Sequence, residues 1–165
     1  MLEGTPGAAV LFALAVTVHN VEEGIWLPGF PHPAMLEPPS PFAFRFAVAA
    51  ITLVFWAMAG GLLIGFPFEP VLAGFAVAMI VNAILPHLAV TAWFRRYHPG
   101  TGTAWVLVVP AALNALVALD WAERFRDTAY AAGATASLLA LAACVPLLIG
   151  LGGKVERWRG TMAPK

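Results

Sequence analysis

The chain has 165 residues, 61% of them hydrophobic and 11% charged, with a formal net charge of +0 and a mean hydropathy of +0.82. Soluble domains carry nearer a quarter of charged residues, so this chain lacks the polar groups to cover a water-facing surface. Nothing in this balanced charge suggests a nucleic-acid partner, which requires a basic patch, and a single cysteine, Cys144, excludes an intrachain disulfide.

Crossing ~30 Å of hydrocarbon takes ~20 apolar residues as a helix. The first such stretch is 8–27. The start, Met1-Leu2-Glu3-Gly4, lacks a positive n-region and no small-residue cleavage site follows, so this segment is expected to be a retained helix. A link then carries Pro28, Pro31, Pro33, Pro38, Pro39 and Pro41, which predicts an irregular, extended loop. The second helix is expected over 42–64, with Ala57, Gly61 and Gly65 spaced as a small-residue ridge for helix contact. A tight hairpin over 65–70 leads to a third helix, 71–94. A turn, Arg95-Arg96-Tyr97-His98-Pro99-Gly100, leads to a fourth, 103–120. A charged turn precedes a fifth, 128–151, and a polar tail, 152–165. Trp26, Trp93, Trp105 and Trp121 fall near helix ends, where aromatic belts sit. Pro86, Pro110 and Pro146 interrupt helices and are tolerated in membranes as kinks. The expected fold is all-α: one polytopic membrane domain over 1–165, with about five transmembrane helices and no internal repeat.

With five helices, the links after helices 1 and 3 share a side with the C-terminus. That side holds Arg45, Arg95, Arg96, Lys154, Arg157, Arg159 and Lys165, against Arg124 and Arg126 on the other. The positive-inside rule places the C-terminus in the cytoplasm and the N-terminus outside.

The residues able to do chemistry begin with His19-Asn20-Val21-Glu22-Glu23. Positions i, i+3 and i+4 share a helix face, so His19, Glu22 and Glu23 converge. Ionisable groups in a membrane helix are costly, face the bundle interior and mark function. A helix end whose carboxylates simply reach water is the alternative. Helix 3 adds Asn82 and His87. At ~1.5 Å per residue, His19 lies ~12 Å and His87 ~10 Å from the cytoplasmic ends of their helices. Glu22, Glu23 and Arg45 lie shallower, and Asn82 and Asn114 deeper, at ~16–18 Å. The matched depths predict one polar pocket open to the cytoplasm. Arg45 is expected to be the counter-ion of Glu22 or Glu23, or else to reach lipid phosphates. The geometry of one helix turn makes Glu23, offset ~40° from His19, its expected partner, with Glu22 turned to Arg45 or a neighbouring helix. His32 and His98 sit in loops and receive no role.

His19-Asn20-Val21-Glu22-Glu23-Gly24 with Trp26-Leu27-Pro28, then Asn82 with His87, then Tyr97-His98-Pro99-Gly100 through Thr103-Ala104, resemble a family of uncharacterised bacterial membrane proteins named for an HXXEE motif. The matching segments cover about half the chain. The resemblance implies an integral membrane domain, in a bacterial inner membrane, and supplies no substrate.

The leading functional expectation is a membrane-embedded enzyme acting on a lipid-like or small apolar ligand from the cytoplasmic half of the bilayer. In one mechanism His19, His87 and Glu23 hold a divalent zinc or iron ion, leaving positions free for water or substrate. In the other, no metal is needed, and Glu22 or Glu23 works with a histidine as an acid–base pair. The spacing matches neither a zincin helix, with histidines at i and i+4, nor a di-iron bundle with repeated Glu-x-x-His pairs. A small-molecule or proton-coupled transporter, in which a homodimer supplies the missing symmetry, and a scaffold subunit without catalysis are the competing expectations.

Overall fold

The computed structural model describes residues 4–30 and 38–162, and these hold helices and no strand. Five helices are long and apolar enough to cross a membrane. We label them α1 (Gly4–Trp26), α2 (Pro41–Leu63), α3 (Glu69–Phe94), α4 (Thr101–Ala118) and, after a one-turn helix α5 (Trp121–Arg124), α6 (Thr128–Met162). The protein is thus the all-α bundle that its hydropathy predicts. Three expectations on bounds change, the first being that helix 1 begins at Gly4. Helix 4 begins at Thr101, and the expected polar tail continues α6 as far as Met162. Of the proline-rich link, Leu27–Gly29 form a 3₁₀ turn, while Pro31, His32 and Pro33 lie outside the described residues.

Packing in α1 follows a single stripe. Ala8, Ala9, Phe12, Ala13 and Val16 are buried at helical spacing, and the same stripe continues into His19 and Asn20. Leu11, Leu14, Val18, Val21 and Ile25 line the opposite, exposed face. Lipid tails give no hydrophobic reason to hide such residues, so small side chains and ring contacts decide which face turns inward. Phe12 packs edge-on against Phe55 with centroids 5.3 Å apart, and Phe55 meets Phe75 at 5.0 Å. Polar ties add register: Asn20 Nδ2 donates to Thr52 Oγ1 at 2.8 Å, Trp56 Nε1 to Thr17 Oγ1 at 3.0 Å, and Thr5 Oγ1 to the Ala118 carbonyl at 3.0 Å.

The ridge expected at Ala57, Gly61 and Gly65 does not join two long helices. Ala57 is exposed, Gly61 receives the Phe68 ring from the following hairpin, and Gly65 turns that hairpin with φ +86°. Close helix approaches occur instead at Gly74 and Gly152. A Cβ at Gly74 would run into the Ala134 carbonyl, which draws α3 against α6 at the end far from the histidines, and one at Gly152 would come within 2.8 Å of the Ala43 Cα, which draws α6 against α2.

Prolines shape the other end. Pro86 has no N–H and its ring displaces the carbonyl one turn back, and α3 absorbs this as a π-helical stretch, Ala83–Leu88. The same device precedes Pro110, where α4 is π-helical over Ala104–Val108. Such widened turns inside α-helices recur at functional sites. Ser40 caps α2 by accepting from the Ala43 N–H at 3.1 Å and donates to Glu156, tying α2 to the far part of α6.

Candidate functional site: a histidine–glutamate cluster

The C-terminal end of α1, the π-helical part of α3 and the start of α4 meet around three side chains. His19 and His87 are buried, at 0% and 1% exposure, and Glu23 is partly covered. One nitrogen of each ring and one carboxylate oxygen of Glu23 lie within 4.8 Å of one another. His87 Nε2 is 3.1 Å from Glu23 Oε1, and His19 Nε2 is 3.7 Å from the same oxygen. The rings stand edge to face, 5.0 Å between centroids.

The proton on His19 can be placed from its neighbours. Thr103 Oγ1 lies 2.6 Å from Glu22 Oε2 and 3.1 Å from His19 Nδ1. A hydroxyl has one proton, and the carboxylate takes it, so Thr103 accepts from the imidazole Nδ1–H. If the ring is neutral, its Nε2 is then a bare lone pair. It is buried and has no hydrogen-bond partner, the state that buried polar atoms rarely occupy without a functional reason.

Glu22 is held as an acceptor. Tyr97 OH donates to Oε1 at 2.6 Å, the Gly100 N–H at 3.0 Å, and Thr103 to the other oxygen. The expected pairing with a neighbouring helix is therefore found on α4, not on Arg45. Arg45 instead donates Nε to the Gly24 carbonyl at 2.9 Å, and among the described residues it makes no ion pair with either glutamate. Burial and the bond to Glu22 both push the Tyr97 phenol above its ordinary pKa, which keeps the donor proton in place.

On the α3 side, Asn82 Nδ2 is 3.2 Å from His87 Nε2, and His98 Nδ1 is 3.3 Å from His87 Nδ1. If His87 carries its proton on Nδ1, Nε2 accepts from Asn82 and also faces Glu23 Oε1 at 3.1 Å; if the proton is on Nε2, it is donated to that oxygen. Asn114, expected in the deepest tier, is exposed on α4 and lies outside the cluster.

Four participants carried no expected role: His98, Tyr97, Thr103 and Gly100. His98 is 4% exposed, and Thr91 Oγ1 accepts from its N–H at 3.2 Å. Gly100 closes the cluster from above. Its φ is +90°, and a Cβ there would come within 2.6 Å of His87 Cε1, 3.0 Å of His19 Cε1 and 3.1 Å of Glu23 Cγ. No larger residue allows the backbone this near.

Beside the cluster lies a cavity of about 700 Å³, with His19, Glu23, Asn82 and His87 at one end and an apolar wall from α2, α3 and α6.

The family described as proteins of unknown function with an HXXEE motif matches residues 10–115. The chain belongs to the HXXEE family. The Bacillus subtilis (strain 168) uncharacterized protein YrkK is similar, 32% identical over 162 residues, covering 88% of this chain and 95% of the relative. No solved structure matches. In this HXXEE protein the three letters of the motif divide their work. The histidine and the second glutamate point into the cluster, while the first glutamate faces the α3–α4 connection.

Proposed function

We propose that this protein is a membrane-embedded, metal-dependent enzyme acting on a lipid-like substrate in the cytoplasmic half of the bilayer. The observation that carries the reading is the buried, partnerless Nε2 of His19, aimed at the same oxygen of Glu23 that His87 approaches. Two imidazoles and a carboxylate suit zinc or iron and leave coordination positions open. Ligands about 2.0–2.2 Å from one tetrahedral ion lie ~3.3–3.6 Å apart; the two Nε2–Oε1 distances, 3.1 and 3.7 Å, already match this, and the two ring nitrogens, within 4.8 Å of each other, would need to draw closer. Such an ion would supply Lewis-acid activation at the polar end of the cavity.

The chain's own residues would do the rest. Thr103 and His98 occupy the Nδ1 atoms of His19 and His87 and so turn both Nε2 atoms inward, as outer partners do at metal centres. Glu23 can also hold a proton beside the reacting group. The apolar wall keeps water from the site. The Lys and Arg asymmetry supports an orientation with this end in the cytoplasm.

The test is elemental analysis of detergent-purified protein after incubation with Zn²⁺ or Fe²⁺. About one ion per chain in the wild type, lost in His19→Ala and Glu23→Gln while both still fold, is the expected result. No ion above background in the wild type would overturn the metal reading.

A further inference from the structure

The cavity that ends on the cluster also carries information about what it takes. Its long walls come from Val48 and Ile51 on α2, Met79 on α3, and Leu138, Leu141 and Val145 on α6. Its rim reaches the lipid-facing surface, because Val81, Leu85 and Val145 are 42%, 63% and 40% exposed. The helices part here for a structural reason. Gly74 holds α3 against α6 at the opposite end, while Pro86 widens α3 into its π-helical stretch beside the cavity. A ligand can therefore enter sideways from the bilayer.

Volume limits the ligand. Pockets that hold one small ligand run to about 300–1,000 Å³, and this cavity of about 700 Å³ falls in that range, room for one long chain.

Charge limits the head. The polar end offers Glu23, His19, His87, His98, Asn20 and Asn82, and no Lys or Arg among the described residues lines the cavity. Arg45, the nearest candidate in sequence, is spent on the Gly24 carbonyl and lies outside it. Without an ion in the cluster, a phosphate or carboxylate head would meet the Glu23 carboxylate with no side-chain cation to offset it, a pairing that low-dielectric surroundings penalise.

We propose that this cavity binds one single-chain lipid with an uncharged oxygen head, an alcohol, aldehyde or ester, its head at His19, Glu23 and His87 and its chain along α2, α3 and α6. This substrate class rests on the reading of the cluster as the reactive centre.

The experiment uses the full chain in chelator-washed nanodiscs, so that no ion offsets Glu23, and tritiated hexadecanol as probe, with palmitate and dipalmitoyl phosphatidate as competitors. Saturable binding near one per chain is expected, with both competitors at least tenfold weaker than unlabelled hexadecanol. Ile51→Trp and Leu138→Trp, on opposite walls, should each cut binding at least tenfold while metal uptake on reloading stays at the wild-type level. Binding that survives in both variants would overturn the site, and equal competition by either anion would overturn the neutral head. Saturable, tryptophan-sensitive hexadecanol binding in a protein that takes up no metal would support the lipid site and remove only the metal from the reading above.

Discussion

His87 and His98 meet through their Nδ1 atoms, 3.3 Å apart, one from within α3 and one from the turn that follows it. When His87 uses Nε2 as a ligand, its remaining proton sits on Nδ1 and His98 accepts it. Outer partners of this kind are typically worth ten- to a hundredfold in metal affinity. His98→Ala should therefore weaken metal binding by about ten- to a hundredfold, measured by competition with a zinc-chelating dye. Unchanged affinity would show that the contact does not orient His87.

Thr103 separates Glu22 from His19. Thr103→Val removes the hydroxyl and keeps the shape, so His19 loses the acceptor that holds its proton on Nδ1. Metal affinity should fall by about tenfold or more, and Thr103→Ser should stay close to wild type. Comparable affinities for the valine and serine variants would argue against the relay.

Glu22 and Glu23 should differ in kind. Glu23→Gln is expected to abolish metal binding in a protein of near-normal thermal stability. Glu22→Gln is expected to lower the melting temperature, since three donors converge on that carboxylate, with a smaller loss of affinity. Equal, purely stability-linked effects from both substitutions would favour a scaffold.

Gly100→Ala meets two obstacles: a left-handed φ that costs an L-residue about 1–2 kcal/mol, and ring atoms of His87 and His19 inside contact distance. The melting temperature should drop by on the order of 5 °C and metal should be lost. Gly60→Ala, where a Cβ meets nothing within 4 Å, is the control and should cost neither.

The centre was legible in the sequence where helical geometry governs it. The apolar stripe of α1 runs directly into His19, and depth along a helix brings His87 to the same level. Depth carries no azimuth, however. Asn114 shares the level but lies off the α4 stripe of Ala104, Val108, Ala112 and Ala115, so it faces outward. Arg45 likewise sits at the right height and turns to a backbone carbonyl, because its reach is decided by the local crossing of α1 and α2. His98, Tyr97 and Gly100 belong to a connection, where neither periodicity nor hydropathy speaks. Their only signal was the Tyr97-His98-Pro99-Gly100 string itself, a loop rich in groups that loops do not need.

Every side chain of the cluster, with its outer partners, lies between His19 and Thr103, whereas α6 contributes only apolar wall. As the ribosome delivers the chain, the polar centre is complete once the fourth helix has entered the bilayer. The last helix arrives afterwards and turns an open flank into a cavity. Until then the flank that Leu138, Leu141 and Val145 cover is open, so the order of synthesis separates assembly of the centre from sealing of the chamber.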